Sequence, residues 1–125
     1  MPREGSKYMG KLLIILFSSP LEDQNIDTIY RFAEAAVEEH EVSIFCDLDA
    51  VYNLVAGQTL PNQRTSARKL AELIEKGVQV LVCQQSARRR GLDVEEGLIK
   101  GTMKSSLGEL SQLVEESDRV VSFNV

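Results

Sequence analysis

The sequence has few of the residues on which several common kinds of site depend. It contains two cysteines, Cys46 and Cys83, and a single histidine. Two cysteines are too few for a disulfide framework, and their spacing is not that of a zinc site. Both cysteines are therefore expected to be reduced thiols.

Long apolar runs and an excess of basic residues are also missing. The longest apolar run, 12–17, is too short to cross a bilayer, and residues 1–10 lack the apolar stretch of a secretory signal. With 19 acidic and 14 basic residues, the formal net charge is −5, which argues against a phosphate-backbone binder. We therefore expect a cytoplasmic protein with no membrane contact and no direct contact with nucleic acid.

Other absences concern the loops that would follow the strands. The loop at 18–25, which opens with the turn Ser18-Ser19-Pro20, has no glycine, so a glycine-rich phosphate loop is excluded. Its acidic residues also do not fit the Ser/Thr/Gly-rich turn of a flavodoxin-like flavin site. A phosphoacceptor receiver domain needs an aspartate at the end of the third strand, where Cys83 stands.

The residues that are present predict one globular α/β domain. The chain has 125 residues, of which 43% are hydrophobic and 26% charged, a balance typical of a folded domain. Residues 1–10 are expected to form a flexible N-terminal extension, and residues 11–125 the domain. Short, mostly apolar runs typical of buried strands occur at Lys11–Phe17, Val42–Cys46 and Val78–Cys83, and Arg119–Phe123 is predicted as the last strand. A short fourth strand is predicted at Leu98–Met103, because Gly97 and Gly101 weaken any helix there.

Helical periodicity separates these strands. A helix is predicted over 26–39 with Asn25 or Asp27 as its cap, and a short helix capped by Asp47 or Asp49 follows the second strand. A helix over 67–74 follows a loop at 58–63, a helical turn covers 84–90, and a last helix begins at a Ser106-x-x-Glu109 capping box. The alternation predicts a three-layer α/β/α fold, with a mostly parallel sheet of about five strands and helices on both faces.

Cys83 is the strongest candidate for a functional residue. Sites in open parallel sheets lie beyond the carboxyl ends of the strands, and Cys83 ends the third strand just before a helical turn that contains Arg88, Arg89 and Arg90. A helix N-terminus and nearby cations both stabilise a thiolate. Spacing alone equally supports an inert, buried cysteine. Cys46 is expected to be a core residue, because acidic neighbours disfavour its thiolate.

The segment Cys83-Gln-Gln-Ser-Ala-Arg-Arg89-Arg90-Gly91 resembles the active-site segment of the DsrE/TusD (DsrE/DsrF/TusD) family of sulfur-relay proteins. The opening KLLIILFSSP, the VSIFCDLDAVYNL segment and the closing ELSQLVEESDRVVSFN extend the resemblance over residues 11–125. It implies a homo-oligomer, a trimer or hexamer, with donor and acceptor proteins for sulfur as partners. It also implies that Cys83 holds sulfane sulfur as a persulfide. The residues that would shape its pocket or activate its thiolate are Ser86, Arg88, Arg89, Arg90 and Gly91.

The leading hypothesis is therefore a persulfide carrier, a possible sulfurtransferase that serves tRNA thiolation or sulfur metabolism and needs no metal or organic cofactor. Two alternatives remain open at this point. Cys83 and Arg89 also have the C-x5-R spacing of cysteine-dependent phosphatases and arsenate reductases. The third possibility is a non-catalytic oligomeric subunit whose cysteine is inert.

Overall fold

The computed structural model describes residues 10–17, 23–58 and 64–123, with the side chains of 23–25 excepted. Most of the predicted N-terminal extension, the turn at 18–20 and most of the loop at 58–63 lie outside the described residues.

Five strands form one sheet in which every pairing is parallel. Their order across the sheet is β4-β3-β2-β1-β5, so the first three crossovers step in one direction and the last returns to the far edge. Strands buried on both faces need apolar residues at nearly every position, which explains the continuous runs in the sequence. The strands are β1 (Lys11–Leu16), β2 (Glu41–Cys46), β3 (Gln79–Cys83), β4 (Met103–Ser105) and β5 (Arg119–Phe123).

Helices connect these strands in the predicted alternation. They are α1 (Asp23–Ala36), a 3₁₀ helix (Leu48–Leu54), α2 (Ser66–Glu75), α3 (Gln84–Arg89) and α4 (Leu107–Glu116). Asp47 caps the 3₁₀ helix by accepting a hydrogen bond from the Leu48 N–H, and Ser106 caps α4 by accepting one from the Glu109 N–H. The predicted three-layer α/β/α fold is confirmed.

The two faces of the sheet are covered unequally. The first face carries the larger core, where α1, α2, α3 and the 3₁₀ helix pack on side chains such as Ile14, Ile44 and Val80. Within the part of the chain that the structure describes, the second face is covered by α4 alone. Its smaller core contains Leu13, Ile15, Phe45, Leu81 and Cys83, with Phe17, Leu110 and Leu113 packed against it. Alternation along β3 therefore places Cys83 on the side of the sheet that has the least cover.

Two predicted details differ from the structure. The fourth strand is Met103–Ser105 rather than Leu98–Met103. Leu98 instead makes an isolated antiparallel bridge to Val55, and the chain turns at Gly101, whose φ is +95°, before the strand begins. Neither Asn25 nor Asp27 caps α1, because this helix begins earlier, at Asp23.

Candidate functional site

The candidate site lies between the carboxyl ends of β3 and β4. Cys83 and Ser105 are register partners at the ends of these two strands. The chain leaves β3 through α3 toward the first face of the sheet and leaves β4 through α4 toward the second face. Neighbouring strands whose connections diverge in this way leave a crevice at the edge of the sheet, which is where open α/β folds bind ligands.

A cavity of about 530 Å³ fills this crevice. Cys83 lies at its floor as a buried residue, 2% exposed, and its side chain makes no capping hydrogen bond to α3. Cys83 therefore belongs to the smaller core on the second face and also lines a pocket that opens to solvent. The cavity is lined by Cys83, Gln84, Gln85, Arg88, Arg89, Ser105, Ser106 and Leu107.

Two of the three predicted arginines line this cavity. Arg88 and Arg89 are both exposed, and the Arg88 Nη2 donates a hydrogen bond to the Gln84 Oε1 at 3.0 Å. Arg89 has neither a hydrogen bond nor an ion pair with another of the described residues. Both guanidinium groups can therefore reach an anion at the mouth of the cavity with little rearrangement.

Ser86 and Arg90 turn the other way and attach α3 to the 3₁₀ helix. The Ser86 Oγ donates to the Asp47 Oδ1 at 2.6 Å, and the Arg90 Nε donates to the Asp49 Oδ1 at 2.9 Å. Arg90 also donates from Nη1 to the Ser86 carbonyl at 3.1 Å. These contacts hold the start of α3 in place but lie outside the cavity. Gly91, with φ of +76°, follows α3 in a conformation that glycine adopts without strain.

A second polar pair lies beside Cys83 on the β4 side. Ser105 is fully buried, and its hydroxyl donates a hydrogen bond to the Glu109 Oε2 at 2.8 Å. This contact satisfies Ser105 and keeps the Glu109 carboxylate tied to the start of α4. The only fully buried hydroxyl at the cavity is therefore already paired within the chain, among the residues that the structure describes.

Cys46 has a different environment. It is fully buried in the larger core on the first face, so the sheet separates it from Cys83. Burial, and secondarily the charge of Asp47, raises the pKa of the Cys46 thiol to about 12. A thiol with this pKa is almost entirely protonated at neutral pH, which agrees with the prediction that Cys46 is a core residue.

The C-x5-R spacing does not form a phosphate loop. Residues 84–89 form α3, a regular helix rather than a loop that wraps around the sulfur. The backbone N–H groups of this segment align along the helix axis instead of converging on one point beside the sulfur. The geometry therefore gives no support to the phosphatase and arsenate-reductase alternative.

Five residues that line the cavity were not predicted from the sequence. Three lie where β4 meets α4, and two lie at the start of α3: Ser105, Ser106, Leu107, Gln84 and Gln85. Helical periodicity could have separated the arginines, since Ser86 and Arg90 share one face of α3 while Gln84 and Arg88 share another. Ser105 could have been found only if the fourth strand had been predicted at its correct position.

No cluster of three or more His, Cys, Asp or Glu suited to a metal occurs within 10–17, 23–58 and 64–123. Nor does any helix in these ranges have the length and apolarity needed to cross a membrane.

Comparison with known proteins adds a family and a solved fold. The model of the DsrE/DsrF-like family matches residues 10–123. A protein of Allochromatium vinosum, whose name provisionally assigns it as the sulfurtransferase DsrE, is 32% identical over 90% of this chain and 98% of its own length. The sulfurtransferase TusD homolog of Vibrio parahaemolyticus is 27% identical over 88% and 95%. The crystal structure of the ychN protein from E. coli aligns with a TM-score of 0.83 and 26% identity, covering 92% of this chain and all of the other.

Proposed function

The chain belongs to the DsrE/DsrF-like family, and on that premise we propose that it carries sulfane sulfur as a persulfide on Cys83 and transfers it to a partner. The observation that carries this proposal is the position of Cys83 at the floor of a cavity that two exposed arginines line. Among the described residues, Cys83 is the cysteine with a route to solvent, since Cys46 lies in the core.

The exchange has two steps, and each conserves charge and sulfur. The Cys83 thiolate attacks the sulfane sulfur of a donor, a new S–S bond forms, and the donor's leaving group departs with the electron pair of the broken bond. An acceptor thiolate then attacks the terminal sulfur of the persulfide, and Cys83 leaves as a thiolate. Arg88 and Arg89 favour the anionic persulfide through charge, a small effect because both guanidinium groups are exposed to solvent. Neither step calls for a metal or an organic cofactor.

This function predicts that Cys83 alone takes up sulfur. After incubation with inorganic polysulfide, intact-mass spectrometry should show wild-type protein heavier by one sulfur atom, and peptide mapping should place that sulfur on Cys83. Cys83→Ser should remain at its original mass, while Cys46→Ala, which removes the core thiol, should load like the wild type. Loading of Cys83→Ser to the wild-type level would contradict the proposal.

We further propose that the chain works as a homo-oligomer, the trimer or hexamer that the family resemblance implies, in the cytoplasm and with an acceptor protein from tRNA thiolation or sulfur metabolism. The incompletely covered second face of the sheet supports the oligomer. The helix α4 has no fully buried residue. Large apolar side chains on α4 and on the two edge strands are exposed on this side: Met103 (48%), Leu107 (53%), Val114 (41%) and Val120 (39%). Exposed apolar side chains grouped on one face indicate a protein–protein contact.

Light scattering at micromolar concentration is therefore expected to give a multiple of the 13.9 kDa chain mass. The double variant Leu107→Lys/Val114→Lys should reduce this mass to that of the monomer, because two charges would have to be buried in the interface. Tyr52→Lys, which changes an exposed aromatic residue away from α4, serves as the matched control and should leave the mass unchanged. A wild-type chain that scatters as a monomer would rule out the oligomer.

A further inference from the structure

The size and lining of the cavity beside Cys83 indicate the chemical class of the sulfur donor, which the proposed function does not name. Cys83 is only 2% exposed, so a donor must place its sulfane sulfur inside the cavity rather than meet the thiol at the protein surface. The volume of about 530 Å³ leaves room for a small molecule there. The identity of the donor rests on the proposed function and concerns the same site.

The charge of the cavity is opposite to that of the chain. The protein has a formal net charge of −5, yet the ionisable side chains lining this cavity, besides the thiol, are the guanidinium groups of Arg88 and Arg89. The Glu109 carboxylate accepts the Ser105 hydroxyl, and the third arginine of the segment, Arg90, is paired with Asp49. Two cations that have no carboxylate partner among the described residues thus lie at the entrance to a buried nucleophile.

The neutral polar side chains that line the cavity can also bind an anion, because they are hydrogen-bond donors. The side-chain amides of Gln84 and Gln85 and the hydroxyl of Ser106 can donate hydrogen bonds into the cavity. Guanidinium groups and amides together bind oxygen anions, and arginine does so in a two-pronged manner that a thiol or a persulfide sulfur cannot reproduce. This set of donors is therefore suited to an oxyanion that lies next to the Cys83 sulfur.

We propose that the sulfur donor is a small thiosulfonate, of which thiosulfate is the simplest, with its oxyanion end held by Arg88 and Arg89. Its sulfane sulfur then points to the floor of the cavity, where Cys83 lies. The Cys83 thiolate attacks that sulfur, one S–S bond forms, and the S–S bond of thiosulfate breaks. Sulfite leaves with the electron pair, and Cys83 becomes a persulfide anion, so one thiolate and one thiosulfate dianion become one persulfide anion and one sulfite dianion.

The test compares two donors under single-turnover conditions. Full-length protein is incubated with thiosulfate or with inorganic polysulfide, which has no oxyanion, and both persulfide on Cys83 and released sulfite are measured. Thiosulfate should load Cys83 with one sulfite released per persulfide formed. Arg88→Gln and Arg89→Gln should each slow loading by thiosulfate about tenfold, as expected for the loss of one charge-assisted hydrogen bond, and slow loading by polysulfide at most about twofold.

Arg31→Gln, which removes an exposed positive charge on α1, is the matched control and should alter neither rate. Loading by polysulfide without loading by thiosulfate would overturn the thiosulfonate donor but leave the persulfide function intact, and would point to a protein-bound donor instead. Failure of both donors to load Cys83 would overturn both proposals. An equal slowing of both donors in the arginine variants would also overturn the inference, because the arginines would then act on the cysteine and not on the donor.

Discussion

Iodoacetamide is expected to modify Cys83 at least about 100-fold faster than Cys46 at pH 8, because only the thiolate reacts and only Cys83 has a route to solvent. Cys46 is fully buried, and a pKa of about 12 leaves about one part in 10⁴ of it as thiolate at that pH. Peptide mapping after timed labelling measures the two rates separately.

The pH dependence of this labelling has a definite sign. Because burial raises the pKa of Cys46, its thiolate fraction should increase about tenfold per pH unit up to about pH 12. Denaturation in urea should remove the difference between the two cysteines, since both are then exposed. Faster modification of Cys46 than of Cys83 in the folded protein would mean that the assignment of the reactive thiol is wrong.

Phe45→Ala is expected to reduce the free energy of unfolding by about 3–5 kcal/mol, as large-to-small changes in a packed core do. Phe45 is fully buried at the centre of the second face, where its register partners are Ile15 on β1 and Leu81 on β3. Because α4 is the only helix over this face in the described ranges, few other side chains can move in to fill the space.

The measurement is urea denaturation of both phenylalanine variants at one protein concentration. Phe32→Ala makes the same chemical change on α1, where the residue is 36% exposed, and should cost only about 1 kcal/mol. Equal losses in the two variants would show that the second face does not form a packed core. Because Cys83 belongs to the same core, the experiment also measures how much the packing around Cys83 contributes to stability.

Most of the fold follows from local patterns in the sequence. The strands β1, β2 and β3 are mostly apolar and buried, and the predicted α2 and α4 agree with the structure in type and place. Such runs can be recognised because each strand residue must be apolar wherever helices cover both faces of the sheet. The short edge strand β4 lacks this pattern: Met103 and Lys104 are exposed, and three register pairs with β3 are its evidence as a strand. Pairing with a distant strand leaves no local signature.

The candidate site divides in the same way. Cys83 and its place at the end of a strand could be identified from the sequence, because a strand end and the helix after it are local features. Helical periodicity separates Ser86 and Arg90 from Arg88 around α3, but the directions in which these faces point could not be identified from the sequence. These directions depend on where the 3₁₀ helix places Asp47 and Asp49, which are about 40 residues away along the chain. Ser86 and Arg90 therefore hold α3 against the 3₁₀ helix, while Arg88 and Arg89 line the cavity.

The sequence thus determined the element order, the parallel sheet and the chemistry available at the end of β3, because hydrophobic periodicity and residue type act over a few neighbouring positions. The tertiary structure decided which groups surround the sulfur. The two helices that leave β3 and β4 on opposite faces open the cavity, and the sheet puts Cys83 beside Ser105 and on the other side from Cys46. These are contacts between distant segments, and they form only when the whole sheet closes.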